Sequence, residues 1–193
     1  MNQHTIPSTR LLGLTGSLRK DSYSTAVLRG LQTALSDRAL LDIQDAKLPL
    51  YNQDEDGPVC PDAVRAFRRS IATSDALIIS TPEYNHGIPG VLKNALDWAS
   101  RPYGKSVLTG KPVLVVSASP AFTGGVRAHA QVNETLLSVH AVLVPGPQVV
   151  IGGIADKVSE GRLIDQASLT FALAAVDRLL ALCDRRMRVD RAG

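Results

Sequence analysis

Only two cysteines, Cys60 and Cys183, occur in the 193 residues, and their positions have no metal-ligand spacing. That excludes a disulfide scaffold and makes a reducing, cytoplasmic interior the default. Cys183 falls on the apolar stripe of the last expected helix and reads as a core thiol. Cys60 precedes Pro61 at an expected helix start, where a thiol can be reactive, although an inert one is commoner. No apolar run approaches the length of a membrane span, so no membrane partner is expected. Residues 1–10 are polar and lack the apolar core of an export signal. A charge excess is missing too: 21 Lys and Arg against 18 Asp and Glu give a net charge of +3. The cations are dispersed except near the tail, at Arg185, Arg186, Arg188 and Arg191, where they complement a helix C-terminus. Nucleic acid is not an expected partner, whereas an anionic small molecule suits the balance. Repeats, low-complexity tracts and domain boundaries are also absent, which leaves a single domain over residues 1–193.

Strand and helix signals alternate along the chain. Strands are expected at Arg10–Thr15, Leu40–Asp45, Ala76–Ser80 and Pro112–Ser117. A fifth lies within Ala141–Ile151, interrupted by Pro145-Gly146-Pro147. Helices are expected at Ser22–Leu35, Pro61–Thr73, Pro89–Ser100 and Gly125–Val139. A last long helix carries Leu169, Leu173, Val176, Leu180 and Cys183 on one stripe. The strands are short continuous apolar runs rather than alternating ones. Such strands are covered on both faces, so a parallel sheet between two helical layers follows.

Ligands of such sheets bind beyond the carboxyl ends of the strands, and three loops there carry the chemistry. The first, Gly16-Ser17-Leu18-Arg19-Lys20-Asp21-Ser22-Tyr23-Ser24, offers hydroxyls, a forked cation and the free N–H groups of a helix N-terminus. Cations at that end oppose the helix dipole by roughly 0.3–1 kcal/mol unless an anion sits between them. A helix merely capped by Asp21 or Ser22 is the plainer alternative; the coincidence of hydroxyls, cations and position favours a phosphate.

The second loop, Ser80-Thr81-Pro82-Glu83-Tyr84-Asn85-His86-Gly87-Ile88-Pro89-Gly90, is stiffened by two prolines and opened by two glycines. It offers an aromatic surface at Tyr84 and backbone N–H groups at Glu83, Tyr84 and Asn85 for a planar ring. An ordinary connection with Tyr84 in the core fits the residues equally well. Glu83 is placed to orient the loop, and His86 reads as a surface residue. The third loop, Ser117 to Arg127, is rich in small residues.

Recognised phosphate motifs fail. The first turn has Gly13 and Gly16 but not G-x-G-x-x-G, and Gly104-Lys105-Ser106 lacks the earlier glycine of a P-loop, Ala99 standing there. A terminal monophosphate fits hydroxyls plus one Arg better. No triad, carboxylate pair or metal cluster competes. Three loops flanking the switch point of a 2-1-3-4-5 sheet is the arrangement that holds FMN in flavodoxin-like folds.

The chain resembles the NAD(P)H-dependent FMN reductase family of flavodoxin-like proteins, which includes quinone, chromate and azo-compound reductases. The resemblance is carried by Gly16-Ser17-Leu18-Arg19 with Ser22, by Pro82-Glu83-Tyr84-Asn85, and by Ile88-Pro89-Gly90-Val91-Leu92-Lys93-Asn94-Ala95-Leu96-Asp97-Trp98. It implies a three-layer α/β/α sandwich with a five-stranded parallel sheet of order 2-1-3-4-5. It also implies an FMN phosphate on Ser17, Arg19, Ser22 and Ser24, and a flavin ring along Pro82, Glu83, Tyr84 and Asn85. The ring pocket would be completed by Ser117, Gly124 and Gly125. The implied activity passes hydride from NAD(P)H to flavin N5 and then to a small-molecule acceptor, with no catalytic side chain, in a homodimer or homotetramer. Two departures from the family stand out: Ser24 where Asn is common, and Pro120-Ala121-Phe122 in place of part of a glycine cluster. An electron-carrier flavodoxin is the rival, though such carriers are usually acidic, and a flavin-free protein that kept the fold is a further one.

Overall fold

The computed structural model describes residues 9–190. The polar leader up to Ser8 and the expected helix-end cation Arg191 lie outside them, as does the side chain of Arg188. In chain order the elements are β1 (Arg10–Thr15), α1 (Tyr23–Ala34), β2 (Leu40–Asp45), α2 (Asp62–Thr73), β3 (Ala76–Thr81) and α3 (Gly90–Ala99). Then come β4 (Pro112–Ala118), α4 (Val126–Ser138), β5 (Val142–Leu143), β6 (Val149–Ile151), β7 (Val158–Ser159), β8 (Arg162–Leu163) and α5 (Gln166–Asp190).

The main sheet is wholly parallel, in the order β2-β1-β3-β4-β5, with β6 also on β4. β3 and β4 are buried along their whole length, as expected of strands covered on both faces. On one face Val27, Leu28, Leu31 and Leu35 of the α1 segment join Ala172, Ala175, Val176 and Leu179 of α5 over Leu11, Ile78 and Val116. On the other, Phe67 and Ile71 of α2, Leu92 and Leu96 of α3, and Val132 and Leu136 of α4 cover Leu12, Leu14, Ile79 and Val115. Each fully buried Val, Leu, Ile or Phe among them contributes about 1.5–3 kcal/mol.

The expected fifth strand is split. Val142 N–H donates to Lys111 O at 2.9 Å and Val144 N–H to Val113 O at 3.0 Å. Pro145 and Pro147 then supply no donors, and pairing resumes at Val116 with Val149. The break leaves a cavity of about 250 Å³ bounded by His129 and Asn133 of α4. The β7–β8 hairpin was not foreseen. Its turn residues Glu160 and Gly161 have φ of 47° and 68°, the left-handed pair of a type I′ turn. Pro61 precedes α2 as its cap rather than forming its first turn.

One expectation is corrected at α5. Residues Gln166–Arg186 are long and apolar enough to cross a membrane by length and composition. Ala172, Ala175, Val176, Leu179 and Cys183 instead bury one side of that helix in the sheet core, so it is explained as a core helix. Cys183 is buried, and desolvation pushes its thiol up to about 11. Cys60 is buried beside Val64 and Trp98.

The segment after β2 is clasped to α2 and α3. Asn94 Oδ1 accepts from Tyr51 N–H at 2.7 Å, and Trp98 Nε1 donates to Pro49 O at 2.8 Å. Asp56, 8% exposed, takes Arg68 and Arg101 at 2.9 Å each. Burial alone would raise its carboxyl pKa; the hydrogen bonds from the two guanidinium groups override that and hold it below the usual Asp value.

Candidate functional site

All three sequence-nominated loops emerge at the carboxyl rim, after β1, β3 and β4. In the first, Ser22 caps α1, its Oγ accepting from Thr25 N–H at 3.4 Å. Tyr23 and Ser24 N–H groups remain at the helix mouth with no acceptor among the described residues. The first turn of α1 carries no acidic residue. Arg19 is exposed and folds across this mouth, with Nη2 donating to Asp21 O at 3.1 Å and its guanidinium 5.7 Å from the Tyr23 ring centre. Free N–H groups beside an exposed guanidinium form a donor set for a terminal phosphate.

The second loop turns back on itself. Tyr84 N–H donates to Gly87 O at 3.1 Å and Gly87 N–H to Tyr84 O at 3.0 Å. Asn85 and His86 between them have φ of 50° and 64°. The Tyr84 N–H is therefore spent inside the turn and is not free for a ring, contrary to expectation. Glu83 and Asn85 N–H groups have no acceptor among the described residues. Tyr84 is 46% exposed, so its ring is not a core group. Its hydroxyl lies 3.1 Å from Ser17 Oγ, joining the first two loops.

Glu83 acts as a remote cap. Gly125 at the N-cap of α4 has no side chain and a φ of 84°. Glu83 Oε2 takes its place, accepting from Arg127 N–H at 2.9 Å and Ala128 N–H at 3.2 Å. Arg127 Nη1 lies 3.6 Å from Glu83 Oε1 and 2.7 Å from His86 Nδ1. Gln131 Oε1 accepts from Ile88 N–H at 2.9 Å. Helix α4 thus grips the second loop at two points. The sequence reading missed Gln131 and the pairing of Arg127 with Glu83. Partners 43 and 44 residues apart leave no local signal; only the strand order brings them together.

In the third loop Gly124 and Gly125 are buried. A Cβ on Gly125 would meet Ser117 Cβ at 3.4 Å and Glu83 Cβ at 3.5 Å, so this loop touches the second. A Cβ on Gly124 would reach Val150 Cγ1 at 2.6 Å, with a φ of 60° besides, so the position requires glycine. Ser24 Oγ and Ser117 Oγ are buried without a partner. Orphaned hydroxyls of this kind call for an explanation, and both lie on elements that end at the rim. Of the nominated residues, Ser17, Arg19, Ser22 and Ser24 cluster around the α1 mouth. Of the second-loop residues Glu83 reaches the third loop, next to Gly125 and Ser117, while Gly124 packs against Val150 and Gly152. Three cavities among the described residues, of about 290, 250 and 330 Å³, include none of these residues. Arg19, Tyr84 and Phe122 stand exposed along this rim, which forms a solvent-facing shelf.

The family description "NADPH-dependent FMN reductase" matches residues 9–156, which take in all three loops. The chain belongs to that family. Among its relatives, a quinone reductase from Pseudomonas putida is 40% identical over 166 residues, covering 86% of this chain and 89% of the relative. A 2-hydroxy-1,4-benzoquinone reductase from Burkholderia sp. is 36% identical over 177 residues, covering 90% and 96%. The solved FerB flavoenzyme from Paracoccus denitrificans, an NAD(P)H:(acceptor) oxidoreductase, superposes with a TM-score of 0.83 at 33% identity, covering 92% of this chain and 98% of that one. The fold is flavodoxin-like. As a family member the chain is an FMN-dependent oxidoreductase with NAD(P)H as co-substrate. The electron-carrier alternative falls away with that membership.

Proposed function

We propose that this reductase passes electrons from NAD(P)H to quinones, with FMN held across the rim of the sheet. Its phosphate is held by Arg19, Ser17, Ser22 and the N–H groups of Tyr23 and Ser24. The Ser24 and Ser117 hydroxyls, buried without a partner, would be available to it. Pro82, Glu83, Tyr84 and Asn85 would hold the ring, with Ser117, Gly124 and Gly125 at its other side. The observation that carries this reading is the 3.1 Å contact between Ser17 Oγ and Tyr84 Oη. It sets a phosphate-type helix mouth and an exposed aromatic bend side by side on one rim.

FMN held here would supply the two-electron chemistry that links NAD(P)H to the acceptor. The chain's own residues position and bias. The α1 mouth and Arg19 neutralise the phosphate charge. The Asn85-His86 turn, closed by the Tyr84–Gly87 hydrogen bonds, and the Glu83 cap hold the Tyr84 bend rigid, so little ordering is needed on binding. Glu83 is bound to backbone N–H groups and Arg127, which makes it a positioning residue rather than a proton carrier.

Quinones are favoured as acceptors because quinone-reducing relatives span nearly the whole chain. We further place the enzyme in the cytoplasm as a homodimer or homotetramer. Two reduced thiols support the first; Leu50, Val59 and Leu137, exposed apolar side chains away from the site loops, support the second. The test is anaerobic mixing of the FMN-loaded protein with NADPH and then with 1,4-benzoquinone. Bleaching at the flavin band followed by recovery is expected. A flavin that NADPH and NADH both fail to bleach, or that quinone fails to reoxidise, overturns the proposal. Light scattering on the eluting protein tests the assembly, with a monomer as the contrary result.

A further inference from the structure

Each of the three rim loops exposes a large apolar side chain. Leu18 is 49% exposed on the first, Tyr84 46% on the second and Phe122 94% on the third. Phe122 is the extreme of the three, and its backbone is the opposite of a loose tip. Ser119 N–H donates to Ile151 O at 3.1 Å, Ile154 N–H to Ser119 O at 3.2 Å and Gly124 N–H to Ala121 O at 3.1 Å. Ala121 N–H donates to Ser119 Oγ at 3.1 Å. A Cβ on Gly152 would lie 2.5 Å from Phe122 O, so the segment after β6 packs hard under the loop. The residue therefore stands on a rigid pedestal with its ring in water.

A phenyl ring in that position contributes little to folding, since it buries almost nothing. Its apolar surface is gained only when something flat and apolar lies against it. A Cβ on Gly125, three residues on, would lie 3.5 Å from Glu83 Cβ of the ring-side loop, which puts the pedestal beside that end of the shelf. We infer that Phe122 is the acceptor-selecting residue of this enzyme, stacking on large apolar quinones and favouring bicyclic over small hydrophilic ones. The inference rests on the quinone-reductase reading above and deepens it. The pedestal fixes where the ring stands before the acceptor arrives, so the preference is a binding effect and belongs in KM.

Phe122→Ala and Phe122→Tyr, each as FMN-loaded holoenzyme, provide the test. Acceptors are 2-methyl-1,4-naphthoquinone, 1,4-benzoquinone and ferricyanide, the last a one-electron acceptor with no ring to stack. For Phe122→Ala, kcat/KM for the naphthoquinone is expected to fall about three- to tenfold, mainly through KM. Benzoquinone should change less than twofold, and ferricyanide turnover, flavin content and anaerobic bleaching by NADPH should match the wild type. Phe122→Tyr, which keeps the ring, should restore the naphthoquinone. Equal losses on all three acceptors, no loss on any, or a Tyr variant as poor as Ala would overturn the inference. So would a change in oligomeric state on Phe122→Ala, which would assign the ring to a subunit contact. A wild-type enzyme that reduces ferricyanide but neither quinone would overturn the quinone reading itself, and this inference with it.

Discussion

Replacing Glu83 by Ala should destabilise the protein by about 2 kcal/mol without touching the core. The carboxylate accepts from two backbone N–H groups in the first turn of α4, and the glycine at that cap position cannot substitute. Loss of a side-chain cap costs about 1 kcal/mol. Loss of a negative charge at a helix N-terminus costs up to about 1 kcal/mol more. The Arg127 ion pair adds little, because at 3.6 Å with a half-exposed guanidinium it falls in the range of roughly 0–1 kcal/mol. Glu83→Gln keeps an acceptor oxygen and loses only the charge, so about 1 kcal/mol is expected. The assay is urea unfolding of the FMN-free protein, followed by tryptophan fluorescence, with unchanged m-values as the check that only stability moved. Melting temperatures should fall by about 4–8 °C for Ala at this chain length. An Ala variant within 0.5 kcal/mol of wild type, or a Gln variant as unstable as Ala, would refute the remote cap.

Other substitutions separate the site from the scaffold. Arg19→Ala should weaken FMN binding by about 1.5–3 kcal/mol, the scale of a charged hydrogen bond, or about 10- to 150-fold in Kd; isothermal titration measures it, and unchanged affinity would place the phosphate elsewhere. His129 is buried, and desolvation lowers its pKa from 6.5 to about 4. The unfolded chain therefore binds the extra proton first, and stability should fall as pH drops from about 6.5 toward about 4. The loss approaches about 1.4 kcal/mol per pH unit. Urea midpoints at a series of pH values should show that slope in wild type and a shallower one in His129→Leu. Asp56→Ala removes the shared partner of Arg68 and Arg101 and should cost about 3 kcal/mol, the lower end for a buried pair because both arginines are partly solvated. In acid, the lowered Asp56 pKa means that its contribution is held above the ordinary Asp range and lost as pH falls through the lower folded value, which an Asp56→Asn comparison would expose.

Much of the scaffold was legible because its signals are local. Short apolar runs marked the expected strands Ala76–Ser80 and Pro112–Ser117, which the structure extends by one residue each, to Thr81 and Ala118, and buries along their whole length. Pro145 and Pro147 announced the interruption that divides β5 from β6. The three loops could be placed on one rim from the parallel strand order alone. What stayed hidden depends on partners far apart in the chain. The backbone N–H of Tyr84 looked free until the Asn85-His86 turn closed on it, since positive φ at two non-glycine residues carries no clear sequence mark. Glu83 could be nominated as a loop orienter, but its true acceptor role at α4 required the fold. Ser24 and Ser117 could be named as polar residues, while their burial without a partner could not. The β7–β8 hairpin, with only two residues per strand, was too short for any periodicity.

A crystal structure of the protein grown with FMN tests the central claim most directly. The account predicts phosphate oxygens within hydrogen-bond distance of Arg19 and the N–H groups of Tyr23 and Ser24, with the ring system against Tyr84 and the Gly124-Gly125 turn. Flavin density in the cavity between β5 and β6, or in the cavity of about 290 Å³ lined by Arg10 and Asp42, would contradict it.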